Sequence, residues 1–276
     1  MATIMTLLNE ASLPDSPSAR LDSELLLAAA MGKNRSFLRT WPERVVSREA
    51  HDRFDHWLQR RRDGEPVAYI LGRQGFWSLD LEVAPHTLIP RPDTELLVEA
   101  ALEQLPASPA RVLDLGTGTG AIALALACER LSWRVLGVDR IPEAVALAER
   151  NRERLRLGNA EFRQSHWFSA LAGERFDLIV GNPPYIPDSD PHLREGDVRF
   201  EPKSALVAGA DGLDDLRQII EQAPDYLAAG GWLLLEHGYD QAEAVRALLS
   251  ARGFEQAYSR RDLGGHERIS LGRLAC

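Results

Sequence analysis

Residues 111–121 read Arg111-Val112-Leu113-Asp114-Leu115-Gly116-Thr117-Gly118-Thr119-Gly120-Ala121. A short apolar strand runs into three glycines, and a helical pattern from Ala121 to Arg130 follows at once. Glycines at a strand-to-helix turn let the backbone bend tightly and approach a ligand closely. The turn is therefore a nucleotide-binding candidate, and the chain around it should be an α/β sheet with ligands at the carboxyl ends of its strands.

The flanking sequence fits that frame. Apolar strand patterns recur at 111–115, 134–139, 176–181 and 231–236, with a weaker one at 160–164. Helical patterns fall between them at 119–130, 142–156, 213–228 and 240–251. This alternation predicts a mostly parallel sheet covered on both faces. Two last strands, near 254–259 and 267–272, have no helix between them, so the final one should run antiparallel and bring the sheet to seven strands. The segment 186–211 is polar, aperiodic and proline-bearing, and a loop of that length in a compact domain is usually functional or mobile.

Upstream the pattern changes. Residues 1–75 read as short helices: Ser16-Pro17 as a start with Leu21, Leu25, Ala28 and Ala29 before Gly32, and a second from Ser47 with Phe54, Trp57 and Leu58 on one face, ended by Gly64. Arg60-Arg61-Arg62 in its last turn either complements the helix C-terminus or meets an RNA or acidic partner. From Phe76 to Val83 apolar residues alternate with Ser78, Asp80 and Glu82, which predicts a strand of a hairpin linker over 76–90. The expected division is thus a helical domain 1–75, the hairpin 76–90, and an α/β domain 91–276.

Composition narrows the class. The 276 residues are 45% hydrophobic and 26% charged, ordinary for a globular protein. The longest wholly apolar run, Ala121 to Cys128, is far short of the ~20 residues a membrane helix needs. No basic leader opens the chain, and Cys128 and Cys276 make no disulfide framework, so a reducing cytoplasm is expected. Net charge is −9. Residues 1–75 are nearly neutral and the remainder is strongly acidic, which argues against a protein gripping long stretches of phosphate backbone.

The ligand of the glycine turn is not decided by the turn alone, because Gly116 to Ala121 also fits the dinucleotide fingerprint G-x-G-x-x-[GA]. Asp114 stands where a carboxylate can meet the cationic methionine end of S-adenosylmethionine and would repel a pyrophosphate. Asp139 closes the next strand and can accept both ribose hydroxyls of either cofactor. Trp167, in Ser165-His166-Trp167-Phe168, either walls an adenine ring or fills the core.

The chemical signature is Asn182-Pro183-Pro184-Tyr185, straight after the strand 176–181. Chance gives a particular tetrapeptide of this composition in roughly one such chain per thousand. Two prolines cannot continue the strand. An amide or aniline-like nitrogen is a poor nucleophile because its lone pair is delocalised. The Asn182 side-chain oxygen and the Pro183 carbonyl, aimed at its two N–H groups, would orient it toward a sulfonium methyl, with Tyr185 as a flat support. Positioning of that kind is worth up to ~7–11 kcal/mol. Asn182, Pro183 and Tyr185 are therefore the catalytic candidates and Asn182 to Tyr185 the substrate-binding ones, with no metal required.

With these motifs, the chain resembles the HemK/PrmC family, the N5-glutamine methyltransferases of class I peptide chain release factors. The resemblance is carried by Leu88-Ile89-Pro90-Arg91-Pro92-Asp93-Thr94-Glu95, Asp114 to Gly120, Asp139, Asn182 to Tyr185, Arg199-Phe200-Glu201-Pro202 and Glu236-His237-Gly238. It implies a class I methyltransferase fold, Rossmann-like, behind a small N-terminal helical domain. It also implies S-adenosylmethionine held by Gly116, Thr117, Gly118, Thr119, Gly120, Asp139, Trp167 and Asn182, and the Gly-Gly-Gln loop of a release factor as substrate. His166 departs from the pattern, where relatives carry an acidic residue. The rivals are a ribosomal-protein glutamine or nucleic-acid amino-methyltransferase and a non-catalytic or NAD-binding module. A monomer with no membrane contact and no sequence-specific nucleic acid is expected.

Overall fold

The computed structural model describes residues 2–275 and divides into two compact units, residues 1–73 with 191–200, and residues 74–190 with 201–276. The first unit contains α1 (Ile4–Glu10), α2 (Ala19–Ala30), α3 (Arg35–Thr40), α4 (Arg48–Arg62) and α5 (Val67–Leu71). Ser47 caps α4 as the sequence suggested, its hydroxyl accepting from Ala50 N over 3.2 Å. Ser16 does not cap α2, which begins three residues later. Ser16 and Ser18 instead donate to the Asp22 carboxylate at 2.7 and 2.8 Å. The short helices α1, α3 and α5 have too few turns to show a period. Ile4, Leu7, Leu26, Leu27, Leu38, Phe54 and Leu58 nevertheless form one buried cluster, so this unit has a core of its own.

The hairpin lies earlier than expected. Its strands are β1 (Arg73–Phe76) and β2 (Leu79–Glu82), joined by Trp77-Ser78. The run 76–83 alternates like one strand, but Trp77 takes a left-handed φ of 56° and turns the chain. Its backbone N–H donates to Glu95 and its indole N–H to Glu129, each at 2.7 Å, which holds the turn in place. Nor are these strands a free linker: Phe76, Leu79 and Leu81 are buried in the core cluster that contains Leu97, Val98 and Trp133.

After α6 (Glu95–Gln104) come β3 (Arg111–Leu115), α7 (Ala121–Glu129), β4 (Arg134–Asp139), α8 (Pro142–Leu155), β5 (Ala160–Gln164), β6 (Phe176–Gly181), α9 (Asp214–Gln222), β7 (Leu227–Glu236), α10 (Ala242–Ala251), β8 (Phe254–Arg261) and β9 (Glu267–Leu274). The seven strands lie in the order β5-β4-β3-β6-β7-β9-β8. Neighbours from β5 to β7 are parallel, and β9 runs antiparallel to both β7 and β8. The helix expected over 213–228 stops at Gln222, because Pro224 follows and the chain turns into β7 at Leu227. The segment 186–211 carries three 3₁₀ turns and a short bridge between Ile186 and Val207. Strand order reverses between β3 and β6, and a crevice at such a switch point is where open α/β sheets bind ligands. The glycine turn and Asn182-Pro183-Pro184-Tyr185 leave these two neighbouring strands.

Candidate active site

The turn after β3 is built from its own hydrogen bonds. Thr117 N donates to Val138 O at 2.9 Å, and Gly120 N donates to Thr117 O at 2.8 Å. Gly116, Gly118 and Gly120 all have positive φ, at 69°, 54° and 83°, which glycine alone adopts without strain. Gly118 N points at the Asp139 carboxylate, 2.9 Å away, and Ile141 N takes the other oxygen at 2.9 Å. Asp139 is thus held by two backbone donors, with lone pairs left for a ligand.

A cavity opens over this turn. Gly116, Thr117, Gly118, Thr119, Asp139, Trp167, Asn182 and Pro184 line it. His86 is also on its wall, and its Nε2 is buried with no partner among the described residues. The Trp167 ring stands 3.3 Å from where a Cβ on Gly116 would lie, so a side chain there would fill the cradle. An adenosyl group fits these groups: a glycine turn for close approach, a carboxylate for hydroxyls, an indole for a ring and an unspent polar atom.

Gly120 is not on the wall. Its Cα faces Leu124, Phe162 and Ala148, each 3.0 or 3.1 Å from an added Cβ, so it serves close packing of α7 on β5 and α8. Asp114 also differs from expectation. It is fully buried, with Oδ2 receiving Thr117 Oγ1 at 2.6 Å and Ala123 N at 3.2 Å. It braces the turn from beneath. Burial pushes its carboxyl up to about 7, against the pull of these two donors, and the nearby Asp139 charge adds to the rise.

At the Asn182 end, the side-chain amide donates from Nδ2 to Thr94 Oγ1 over 3.2 Å. Pro183 is buried and does not line the cavity, and Tyr185 packs against the core cluster containing Leu213 and Leu235. The Tyr185 hydroxyl donates to Glu236 Oε1 at 3.4 Å. Its backbone is held as well, since Tyr185 N donates to Leu206 O at 3.2 Å and its carbonyl accepts Gln241 Nε2 at 3.0 Å. Gly212 has φ 73°, and a Cβ there would stand 2.2 Å from the Tyr185 carbonyl, so only glycine fits.

Several site residues carried no role in the sequence reading. Thr94 and Arg91 line the cavity. The buried Glu201 carboxylate receives Ile89 N at 3.0 Å and the Arg91 guanidinium, so two distant motifs of the resemblance hold one another. No local pattern in the sequence marks that pairing, since the partners are 110 and 112 residues apart. Among the described residues no cluster of three or more His, Cys, Asp or Glu side chains could hold a metal ion.

Fold and site together define a class I methyltransferase: the seven-stranded sheet, the glycine turn with its strand-end Asp139, and Asn182-Pro183-Pro184-Tyr185 at the switch point. A methyltransferase from Pyrococcus furiosus has the same fold, with a TM-score of 0.57 at 18% identity over 80% of this chain and 100% of that one. Residues 6–72 match the PrmC N-terminal domain and residues 107–257 a methyltransferase domain. A release factor glutamine methyltransferase of Pseudomonas aeruginosa is 76% identical over 100% of both chains. That of Escherichia coli is 53% identical over 95% of this chain and 94% of its own. The chain belongs to the release factor glutamine methyltransferase family.

Proposed function

We propose that this protein transfers a methyl group from S-adenosylmethionine to the side-chain amide nitrogen of the glutamine in the Gly-Gly-Gln loop of class I peptide chain release factors. The observation that carries this reading is the place of Asn182, on the cavity wall at the switch point, with its amide tied through Nδ2 to Thr94. A tied Nδ2 leaves Oδ1 as the free end, an acceptor for a substrate N–H.

Gly116 to Thr119, Asp139 and Trp167 would hold the cofactor, Asp139 accepting the ribose hydroxyls and Trp167 walling the adenine. When bound, S-adenosylmethionine would supply an electrophilic methyl on a sulfonium, with S-adenosylhomocysteine as the product left behind. Asn182 Oδ1 accepts one N–H group of the glutamine amide, and the Pro183 carbonyl, off the wall of the cofactor cavity, is assigned to the other, so that the nitrogen lone pair faces the methyl. Tyr185 supports the flat amide. The nitrogen gains the methyl and sheds one proton to water. Alignment supplies most of the effect, and a dry pocket favours a step that neutralises the sulfonium.

The helical unit recognises the release factor away from the chemistry. Two facts support this. Its core is its own, and every residue given a chemical role lies after Phe76. The protein acts as a monomer in the cytoplasm, and among the described residues no helix is long and apolar enough to cross a membrane. Radiolabelled methyl transfer to a panel of intact release factor, ribosomal protein and DNA tests the proposal. Label in the release factor alone is expected, and label in DNA alone would overturn it.

A further inference from the structure

Gly181 pairs with Leu235, so Asn182 and Glu236 leave neighbouring strands at the same level. Thr94 stands at both. It accepts the Asn182 amide at 3.2 Å, and it is near enough to pull on the Glu236 carboxyl, whose Oε2 is buried with no hydrogen-bond partner among the described residues. The Tyr185 hydroxyl reaches the same carboxylate at 3.4 Å. Glu236 is 3% exposed and Thr94 4%, so water does not compete for these groups.

Donor and acceptor counting gives this cluster a direction. A hydroxyl has one hydrogen, and an ionised carboxylate can only accept. With Glu236 ionised, Thr94 gives its hydrogen to the carboxylate and turns a lone pair to Asn182. Asn182 must then present Nδ2 to Thr94 and Oδ1 to the cavity. A protonated Glu236 permits the reverse: its acid proton goes to Thr94, Thr94 donates to Asn182 Oδ1, and the Asn182 NH2 meets the substrate NH2, donor against donor.

We propose that Glu236 is a positioning residue for methyl transfer, which sets through Thr94 the end of the Asn182 amide that faces the substrate nitrogen and through its hydroxyl the place of Tyr185. This rests on the reading of Asn182 as the acceptor for the substrate amide.

The charged surroundings make the arrangement sensitive to pH. Burial pushes the Glu236 carboxyl up to about 7, opposed by Thr94, by Arg268 from β9 and by Tyr185, while Asp93 from the turn 92–94 adds to the rise. Next to it on the same strand, His237 is buried, its basicity lowered chiefly by loss of solvent. Since the ionised form is the one that orients Asn182, methyl transfer should rise with pH through about 7. Asp114 is pushed into the same range, so substitution at Glu236 is needed to isolate this contribution.

The test compares wild type, Glu236→Gln, Thr94→Val and Thr94→Ser. The kcat for an intact release factor is measured against pH, with S-adenosylmethionine affinity by calorimetry. Glutamine can both donate and accept, so Glu236→Gln should lose the ascending limb. Its kcat at high pH should fall by about 10- to 100-fold, the scale of a small misplacement, at unchanged cofactor affinity. Thr94→Val should behave alike and Thr94→Ser should recover. Retention of the limb and of kcat in Glu236→Gln would overturn the proposal, as would loss of cofactor binding in step with kcat.

A second measurement does not depend on turnover. The side-chain amide resonance of Asn182, followed by nitrogen NMR, should move with pH through about 7 in wild type and stand still in Glu236→Gln. A resonance that does not move in wild type would overturn the relay. A resonance that titrates in a protein inactive on release factor would uphold the relay and overturn the substrate assignment instead.

Discussion

Arg61 and Asp197 lie 136 residues apart in sequence and meet at 2.7 Å. The same guanidinium donates to the buried Asp22 at 2.7 Å. The contact explains why the middle of the long loop after Asn182-Pro183-Pro184-Tyr185 belongs to the helical unit. It also gives Arg61, in the run Arg60-Arg61-Arg62, a buried structural place, whereas Arg60 pairs with Glu65 and Arg62 with Ser12 O. Arg61→Ala strands the Asp22 charge, and breaking a buried pair costs ~3–5 kcal/mol. Asp197→Ala removes a partly exposed partner and should cost under about 1 kcal/mol. Urea unfolding of the two variants checks the order, and equal losses would contradict it.

A second expectation follows for recognition. Deleting residues 1–73 also takes Arg61 from Asp197, so loss of activity alone would not isolate binding of the release factor. The ratio does. The shortened chain should bind S-adenosylmethionine as before, and its kcat/KM should fall far more for an intact release factor than for a short Gly-Gly-Gln peptide. Equal falls on both substrates would make the helical unit a stabilising cap.

Asp139→Ala should weaken S-adenosylmethionine by about 1.5–3 kcal/mol, the range for hydrogen bonds to a charged group. The substitution also frees Gly118 N and Ile141 N, so part of the loss will come from a looser turn. Calorimetry of the apo protein measures it. Unchanged affinity would remove Asp139 from the cofactor site.

Much of this arrangement was legible in the sequence. The strand-to-helix alternation needs only local hydrophobic period, and glycines and prolines at strand ends mark the turns that carry chemistry. Trp77 was not legible as a turn. Its left-handed backbone depends on Glu95 and Glu129, which are distant in sequence. The burial of Asp114 is not legible, because the position of a carboxylate before a glycine turn does not reveal which side it faces. Thr94, Glu201 and Glu236 gained roles only when folding brought them beside Asn182, Arg91 and Tyr185. Pairings over such separations leave no local pattern.

Asp114 gives a prediction about stability. Its folded carboxyl sits at about 7 against an ordinary 3.8, so the folded state holds this proton longer than the unfolded chain does. Between those values the unfolded state binds fewer protons, and stability falls as pH rises. Asp114→Asn keeps an acceptor for Thr117 and Ala123 and has no charge to bury. Its unfolding free energy should vary less than that of wild type from acidic pH to about 7. A variant with the full wild-type slope would place the titration elsewhere.

The Asn182 site is expected to methylate a release factor glutamine. Mass spectrometry of the Gly-Gly-Gln peptide, cut from a release factor after incubation with S-adenosylmethionine and this protein, tests it most directly. One methyl group on the glutamine side chain is expected with wild type. With Asn182→Ala the rate should drop by about 10²–10³, as for loss of one transition-state hydrogen bond, far more than cofactor affinity falls. An unmodified glutamine after exhaustive incubation with cofactor-loaded wild type would remove the release factor glutamine as the substrate.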